Sequence, residues 1–348
     1  MRAVRLAFQI AAVYIGTVVG AGFASGQEVY QFFGRFGAWG FLGICVATGL
    51  FAWWGYRLLE LGAECRARSF QDVTARALPR WLARGIDALV IAMLLGTTTA
   101  MLAGTGALFR EQLGLPYGLG VLCAMAFAAM TTAFGIRGLF GANAVIVPAL
   151  CIFAVGLALA SVSDPSHRSA ILHLHTANGS IASAILSALL YAAMNVGLSI
   201  GVLVPLGGRI GERRALRQGS ALGAVGLGCL LAAVTITLAA HAPDAYRYAV
   251  PMGRIAATYP RVVAVLFIAV LFGEIYSTLV GNLYGLLGER LATQKKRLAA
   301  AGMVLATCAA FTAFGFRAIV QYGYTAFGWI ALWLLTLLTL ARRPLKLP

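Results

Sequence analysis

Two carboxylates, Glu28 and Glu274, lie inside long apolar stretches of this chain and are its clearest candidates for chemistry. A charged side chain at the centre of a bilayer costs roughly 3 kcal/mol on insertion scales, so such a residue is a functional candidate by default. Either carboxyl group is a candidate proton carrier, because burial favours its neutral form. For Glu28 the structural alternative is pairing with backbone amides or with Arg35.

Glu28 ends a glycine-rich polar stretch, residues 16–28, with the sequence GTVVGAGFASGQE. The stretch interrupts an apolar segment that runs from Leu6 to Phe33 and is long enough to cross a membrane. In hydrocarbon every backbone amide and carbonyl must find a partner, so irregular backbone survives only where protein or a water-filled cavity covers it. An interrupted helix at this place therefore predicts a binding site.

Glu274 begins a polar stripe that continues for three turns of a predicted helix and includes Ser277 and Thr278. These hydroxyls, the carbonyl of Glu274 and the carbonyls freed at Gly16 and Val19 are the predicted ligands of a dehydrated Na⁺. Hard cations prefer oxygen ligands of this kind. The alternative is that both hydroxyls bond to carbonyls one turn earlier in their own helix.

The composition places these residues in an integral membrane protein. Hydrophobic residues make up 61% of the chain and charged residues 11%, against roughly 25% charged in soluble proteins. The mean hydropathy is +0.86. The six cysteines show no paired spacing for metal or redox chemistry and are interpreted as small core residues.

Ten apolar runs are long enough to be membrane-spanning helices, since about 20 residues cross the hydrocarbon core. The predicted spans are 6–33, 37–61, 85–110, 116–135, 139–162, 181–206, 215–240, 255–287, 298–315 and 318–341. With both termini cytoplasmic, most of the 27 Lys and Arg residues fall on the cytoplasmic side, as the positive-inside rule requires. The net charge of +16 then reflects topology in a multi-pass cell membrane protein and not nucleic-acid binding.

The spans divide into two groups of five, residues 1–163 and 179–348, joined by an extracellular or periplasmic connecting loop at 164–178, all within one structural domain. An odd number of spans in each half inverts the second half relative to the first, and carriers built this way place their solute between discontinuous helices. The sixth span should therefore also be broken. It contains Asn195, Gly197, Ser199 and Pro205 within an apolar run.

The two predicted interruptions should meet at one pocket for a small solute. The helical half after Gly22 would present free amides to a carboxylate, as in an amino acid, while Asn195 or freed carbonyls would hold an ammonium group. A cationic amine held by Glu28 is the chief chemical rival. The predicted substrate-binding residues are Val19, Gly20, Gly22, Phe23, Gln27, Glu28, Thr98, Tyr191, Asn195 and Ser199.

The residues 16–23 resemble the unwound first helix of neurotransmitter:sodium symporters and the bacterial leucine transporter, and Leu198–Gly201 is similar to the break in their sixth helix. Gly135-Ile136-Arg137, with Asn143 and Pro148, is similar to the entry into their fifth helix. The match to YkvI-like bacterial membrane proteins of the amino acid-polyamine-organocation superfamily is closer, since their first helix carries almost this GTVVGAGFASGQE string.

The resemblance implies an all-α integral membrane protein with ten transmembrane helices as a 5+5 inverted repeat, the LeuT-like fold, with helices 1 and 6 broken. It also implies an ion at the serine and threonine pair of helix 8. Three departures are visible: ten helices replace the usual twelve, the run Ser25–Glu28 is not shared, and Gly197 stands where the symporters supply a threonine for a second sodium site.

These features predict a secondary active transporter that moves an amino acid-like or related organic solute by alternating access, coupled to Na⁺. The alternatives are a proton-coupled carrier of an amine, with Glu28 or Glu274 as the proton site, and a solute sensor on a transporter scaffold. No catalytic motif, metal centre or cofactor other than the coupling ion is predicted, and the oligomeric state is open. His173 and His175 are interpreted as part of a solvated loop.

Overall fold

The computed structural model describes residues 2–77, 79–134, 137–167, 180–287 and 294–340, and these residues form helices without any β-strand. A π-helix, Ile319–Tyr324, links the last two α-helices. The α-helices are α1 (Arg2–Val18), α2 (Ala21–Ala24), α3 (Gln27–Phe32), α4 (Ala38–Cys65), α5 (Phe70–Ala77), α6 (Arg80–Gln112), α7 (Tyr117–Phe134), α8 (Arg137–Ser163), α9 (Ile181–Leu198), α10 (Ile200–Ile210), α11 (Arg213–Ala240), α12 (Pro251–Ala256), α13 (Arg261–Leu287), α14 (Gln294–Phe311), α15 (Phe316–Ala318) and α16 (Thr325–Leu340).

Eight helices of the described residues are long and apolar enough to cross a membrane. Three shorter apolar helices are Ala3–Val18, Tyr117–Thr131 and Ile200–Ile210. The first and third belong to the spans that the sequence predicts to be interrupted, and the second lies in the predicted fourth span. The total of ten spans, which counts each interrupted span once, stays a prediction.

The first span is interrupted twice. After α1 the backbone is extended at Gly20, with φ −121° and ψ −174°, and α2 then makes a single turn. A second interruption follows at Gly26, whose φ of +80° is left-handed and whose missing side chain makes room for Met252. The helical half expected after Gly22 is therefore divided into the one-turn α2 and the separate α3.

The sixth span is interrupted only at Ser199, between α9 and α10. The Ser199 amide still donates to the Asn195 carbonyl at 3.0 Å, so the break is shallower than the sequence pattern suggests. Gly197 serves close packing, because a methyl group there would lie 2.7 Å from the Ala331 side chain on α16. Pro205 lies within α10.

The helices pack in two groups around the interruptions. In the first group α1 packs on α11, both α9 and α10 pack on α4, and α4 also contacts α11. In the second group α6 packs against α7, α13 and α14, and α14 contacts α7. The interrupted span touches both groups, since α2 contacts α6 and α13 while α3 contacts α9 and α11.

Helices α4 and α10 approach so closely that only glycine fits at their crossing. A methyl group at Gly62 on α4 would overlap the carbonyl oxygen of Val204, and one at Gly207 on α10 would overlap the carbonyl oxygen of Leu59. Small residues permit such backbone contact between helices in a membrane, where no hydrophobic driving force exists. The crossing fixes α10, the second half of the sixth span, against α4.

Candidate functional site

The side chain of Glu28 lies where the two interrupted spans meet. It is 4% exposed, and the Asn195 Nδ2 atom on α9 donates to its Oε1 at 3.3 Å. The same amide group donates to the Tyr191 carbonyl at 3.1 Å. The other carboxylate oxygen lies against Gly22, where a methyl group would overlap it. The structure thus brings together four of the predicted substrate-binding residues.

The alternative pairing of Glu28 with Arg35 does not occur. The guanidinium group of Arg35 lies over the ring of the adjacent Phe36, 4.7 Å from its centroid. The salt bridges found among the described residues do not include Glu28. A buried carboxylate is costly without a positive partner, so this position favours either a protonated carboxyl group or a bound cation.

Aromatic residues pack around Tyr191 and next to Gly22. The Tyr191 ring packs against Phe32, Phe33 and Phe51, with centroid distances of 5.3, 4.9 and 6.0 Å. The ring of Tyr324, on the π-helix, lies 3.3 Å from the position of a methyl group on Gly22. The sequence analysis did not select Tyr324, because a tyrosine in the last span carries no local signal of a site.

The other predicted substrate-binding residues occupy varied positions. The Thr98 and Ser199 hydroxyls both donate to carbonyls of their own spans, at 2.7 Å each. The side chains of Phe23 and Gln27 are buried, and the Gln27 Oε1 atom accepts no hydrogen bond. Val19 and Gly20 form the first interruption itself. Thr98 and Ser199 therefore offer a solute less hydrogen-bonding capacity than Gln27 does.

One of the predicted ion ligands, Thr278, lies beside the break in the first span. The Thr278 Oγ1 atom on α13 lies 3.8 Å from the position of a methyl group on Gly20, next to Val19 in the interruption. A methyl group on Gly16 would contact the Val147 side chain of α8 at 3.7 Å. Thr278 of the eighth span therefore lies beside the interruption that contains the predicted ligand Val19.

Two further predicted ion ligands, Ser277 and Glu274, precede Thr278 on α13. Ser277 donates its hydroxyl to the Glu274 carbonyl at 3.1 Å, which is the backbone bond given as the alternative. The Glu274 side chain is 2% exposed, and its Oε2 atom accepts no hydrogen bond. An orphaned buried carboxylate oxygen calls for an explanation, and protonation or an ion supplies one.

The loop between α11 and α13, residues 241–260, packs against the first span around its break at Gly26, on the predicted outer side, and we call it the outer loop. Its Met252 amide donates to the Ser25 carbonyl at 3.0 Å, and its Tyr246 ring stacks on Tyr30 with centroids 4.2 Å apart. Burial raises the pKa of Tyr246 to about 12, so this contact stays neutral. The outer loop closes the site from that side.

Glu111 at the end of α6 anchors the outer loop. Its two carboxylate oxygens accept the Ala249 and Val250 amides at 2.9 Å each. The sequence analysis missed this contact, since Glu111 lies 138 residues from Ala249. Bonds to a charged acceptor are worth about 1.5–3 kcal/mol each, so this one side chain holds the loop over the site.

We expect Glu111→Gln to speed hydrogen exchange at the Ala249 and Val250 amides by about tenfold or more, because one carboxylate acceptor becomes an NH₂ donor. Exchange mass spectrometry of the purified protein measures this. Glu212→Gln is the matched control. Glu212 precedes the first residue of α11, at the end of that helix that is opposite the outer loop. Equal exchange in both variants contradicts the anchoring role of Glu111.

Some predicted features lie outside the described residues. These are His173 and His175, most of the connecting loop 164–178, and Gly135 and Ile136 at the entry to the fifth span.

Comparisons with known proteins agree with this architecture. No protein-family model matches the chain. The chain is 33% identical to the membrane protein YkvI of Bacillus subtilis (strain 168) over 329 residues, 94% of this chain and 93% of that one. Among solved structures it is similar to MhsT in complex with L-phenylalanine, at 18% identity and a TM-score of 0.69, over 96% of this chain and 88% of that one. A Na⁺-coupled sialic acid symporter matches with 11% identity and a TM-score of 0.63, over 93% and 75% of the two chains.

The fold and the site define an all-α integral membrane protein of the LeuT-like fold, with interrupted first and sixth spans. Within that class the chain belongs to the YkvI family of membrane proteins, as the 33% identity over nearly its whole length shows.

Proposed function

We propose that this protein is a secondary active transporter that moves a small amine-bearing organic solute, with an amino acid as the leading candidate. One observation carries the proposal: the carboxylate of Glu28 is buried at the meeting point of two interrupted spans, with Asn195 as a neutral partner. Carriers of this design bind their solutes at such a junction near the bilayer midplane.

The chemistry of the site favours an ammonium group on the solute. A buried carboxylate gains most from a cation that also donates hydrogen bonds, and a protonated amine does both. MhsT, which is similar in fold, is described in complex with L-phenylalanine, an amine-bearing solute.

The two groups of helices are the units that would move in alternating access. The first, second, sixth and seventh spans would rock against the third, fourth, eighth and ninth around a fixed site, exposing it to each side in turn. The outer loop contacts the first span at Ser25, close to Glu28, so opening the site to the outer side requires this contact to release. The α4–α10 crossing lies within the first of the two groups, so α4 and α10 would move together.

Coupling to Na⁺ is supported by Thr278, which lies beside the Val19–Gly20 interruption. An ion there would tie the first span to the eighth. Linkage requires Na⁺ to raise the affinity for the solute by the same factor that the solute raises the affinity for Na⁺.

We expect Thr278→Val to weaken Na⁺-dependent thermal stabilisation by about tenfold in Na⁺ concentration, because it removes one oxygen ligand while keeping the side-chain shape. Melting temperatures in NaCl and in choline chloride measure this. Thr336→Val is the control, since the exposed Thr336 hydroxyl bonds only within its own helix. An unchanged Na⁺ response in T278V argues against this ion site.

A proton-coupled carrier is the second candidate, because Glu274 is buried with an unpartnered oxygen. Counterflow of a labelled solute in proteoliposomes tests carriage itself. Saturable exchange supports a carrier, saturable binding without exchange indicates a sensor, and non-saturating flux indicates a channel. A Na⁺ gradient or a pH gradient then drives accumulation, which identifies the coupling ion.

A further inference from the structure

Two histidine rings lie against each other on the predicted outer side of the protein. His167 lies just after α8, His241 is the first residue after α11, and their ring centroids are 4.3 Å apart. The Asp164 Oδ2 atom lies 3.5 Å from the His167 Nδ1 atom. All three residues lie outside the membrane-length segments, and the His167 side chain is 29% exposed, so protons from the outer side reach the pair.

The histidine pair connects the outer loop to the fifth span. His241 is the first residue of the outer loop, and the Met252 amide of that loop donates to the Ser25 carbonyl next to the central site. Helix α8, which precedes His167, packs against both α11 of the first group and α13 of the second. Contact between the two rings therefore holds the beginning of the outer loop against a helix that touches both groups.

The surroundings of His241 favour its uncharged form. Its Nδ1 atom donates to the Thr237 carbonyl at 3.0 Å, since a carbonyl oxygen can only accept. Burial lowers the pKa of His241 and so does a charge on His167, while the Thr237 carbonyl and Asp164 act in the opposite direction. A pKa that is lower in the contact than in the free side chain means that the contact is stable at neutral pH and is lost as the pH falls.

Among the described residues, His167 and Asp164 are the titratable groups that act on His241. The outer loop and the elements next to it carry other charged side chains, which do not shift its pKa: Arg35, Glu111, Asp244, Arg247, Arg254 and Arg317. No group of three His, Cys, Asp or Glu side chains in the described part of the chain is arranged to hold a metal ion. The chemistry available to the pair is therefore the uptake of protons.

We propose that the contact between His167 and His241 is an acid-sensitive lock on the outer loop. Histidine is the side chain that ordinarily changes its charge between pH 5 and 8, and two protonated rings at this separation repel each other. As the outer pH falls, the beginning of the outer loop separates from the end of the fifth span. The loop then leaves the central site more readily, whichever solute or coupling ion the protein uses.

Hydrogen exchange of the purified protein at about pH 7.5 and about pH 5.5 tests the proposal, because carboxylates of ordinary pKa stay charged over this range. The readout is exchange at the Ala242 and Ala245 amides, which bond to carbonyls at the start of the loop. Each rate is divided by the exchange rate of an unfolded peptide at the same pH, and EDTA is present throughout.

His167→Phe keeps a ring in the contact but cannot take up a proton. Asp244→Asn is the matched control, since Asp244 pairs with Arg254 in the same loop and not with a histidine. In the wild type and in D244N we expect the corrected exchange rate to rise by about fivefold or more at the lower pH, and in H167F by about twofold or less.

An equal rise in the wild type and in H167F overturns the proposal, and so does a wild-type rate that does not change with pH. A response that is lost in D244N as well as in H167F also overturns it, because it would then depend on the charges of the loop in general. Should H167F fail to purify as a single species, His167→Gln replaces it.

Discussion

Replacing Glu28 by glutamine is expected to weaken binding of a protonated amine by about 30-fold or more. Truncating one partner of a buried charged pair costs about 2–5 kcal/mol, and each 1.4 kcal/mol is tenfold in affinity. Glutamine keeps the shape of the side chain and can still accept the hydrogen bond from Asn195, so the loss reports the charge. Thermal stabilisation of the purified variant against amino acids, amines and organic acids measures it.

Glu64→Gln is the matched control for this substitution. Glu64 lies near the end of α4 and pairs with Arg213 across 3.2 Å, with both side chains partly exposed. An exposed pair contributes about 0–1 kcal/mol, so this variant should bind as the wild type does. Wild-type affinity for amines in E28Q would contradict an ammonium site at Glu28. Intact binding with lost pH dependence of transport would identify Glu28 as the proton carrier instead.

Gly62→Ala is expected to destabilise the folded protein more than other single-methyl additions. The new methyl group would overlap the Val204 carbonyl, so α4 and α10 must separate. Overpacking of this kind costs about 1–3 kcal/mol, and because the contact is with backbone no side chain can rotate away. We expect the melting temperature in detergent to fall by about 3 °C or more.

Gly49→Ala is the control on the same helix, because its methyl group meets nothing within 4 Å. Alanine is also the better helix former, so this variant should melt at or above the wild-type temperature. A melting temperature of G62A equal to that of G49A would show that the crossing of α4 and α10 is loose. The sixth span would then not be fixed by its contact with the second.

The break in the first span was predicted correctly from the sequence because its signal is local. Glycines and polar residues between Gly16 and Glu28 stand out against an apolar segment, and a membrane tolerates them only under cover. The ion site stays a prediction for the opposite reason. The spacing of Ser277 and Thr278 fits both an ion ligand and a backbone-bonded hydroxyl, and in the structure Ser277 takes the second role.

The residue types alone did not show how deep the break in the sixth span is. Asn195, Gly197 and Pro205 indicate a break, yet the neighbours of α9 keep it nearly continuous, since Gly197 packs against Ala331 of α16. A glycine in a membrane helix serves either flexibility or close packing. Only the position of the adjacent helix decides which role it has.

Hydropathy, charge bias and the place of two loosened spans were enough to determine the membrane class, the helical fold and Glu28 as a central candidate. These features depend on the free energy of each segment in hydrocarbon, which is local to the segment. The tertiary structure alone decided that Glu28 meets Asn195 and not Arg35, that Tyr324 faces Gly22, and that Glu111 holds the outer loop. Those contacts join residues far apart in the chain, and the relative placement of whole helices fixes them.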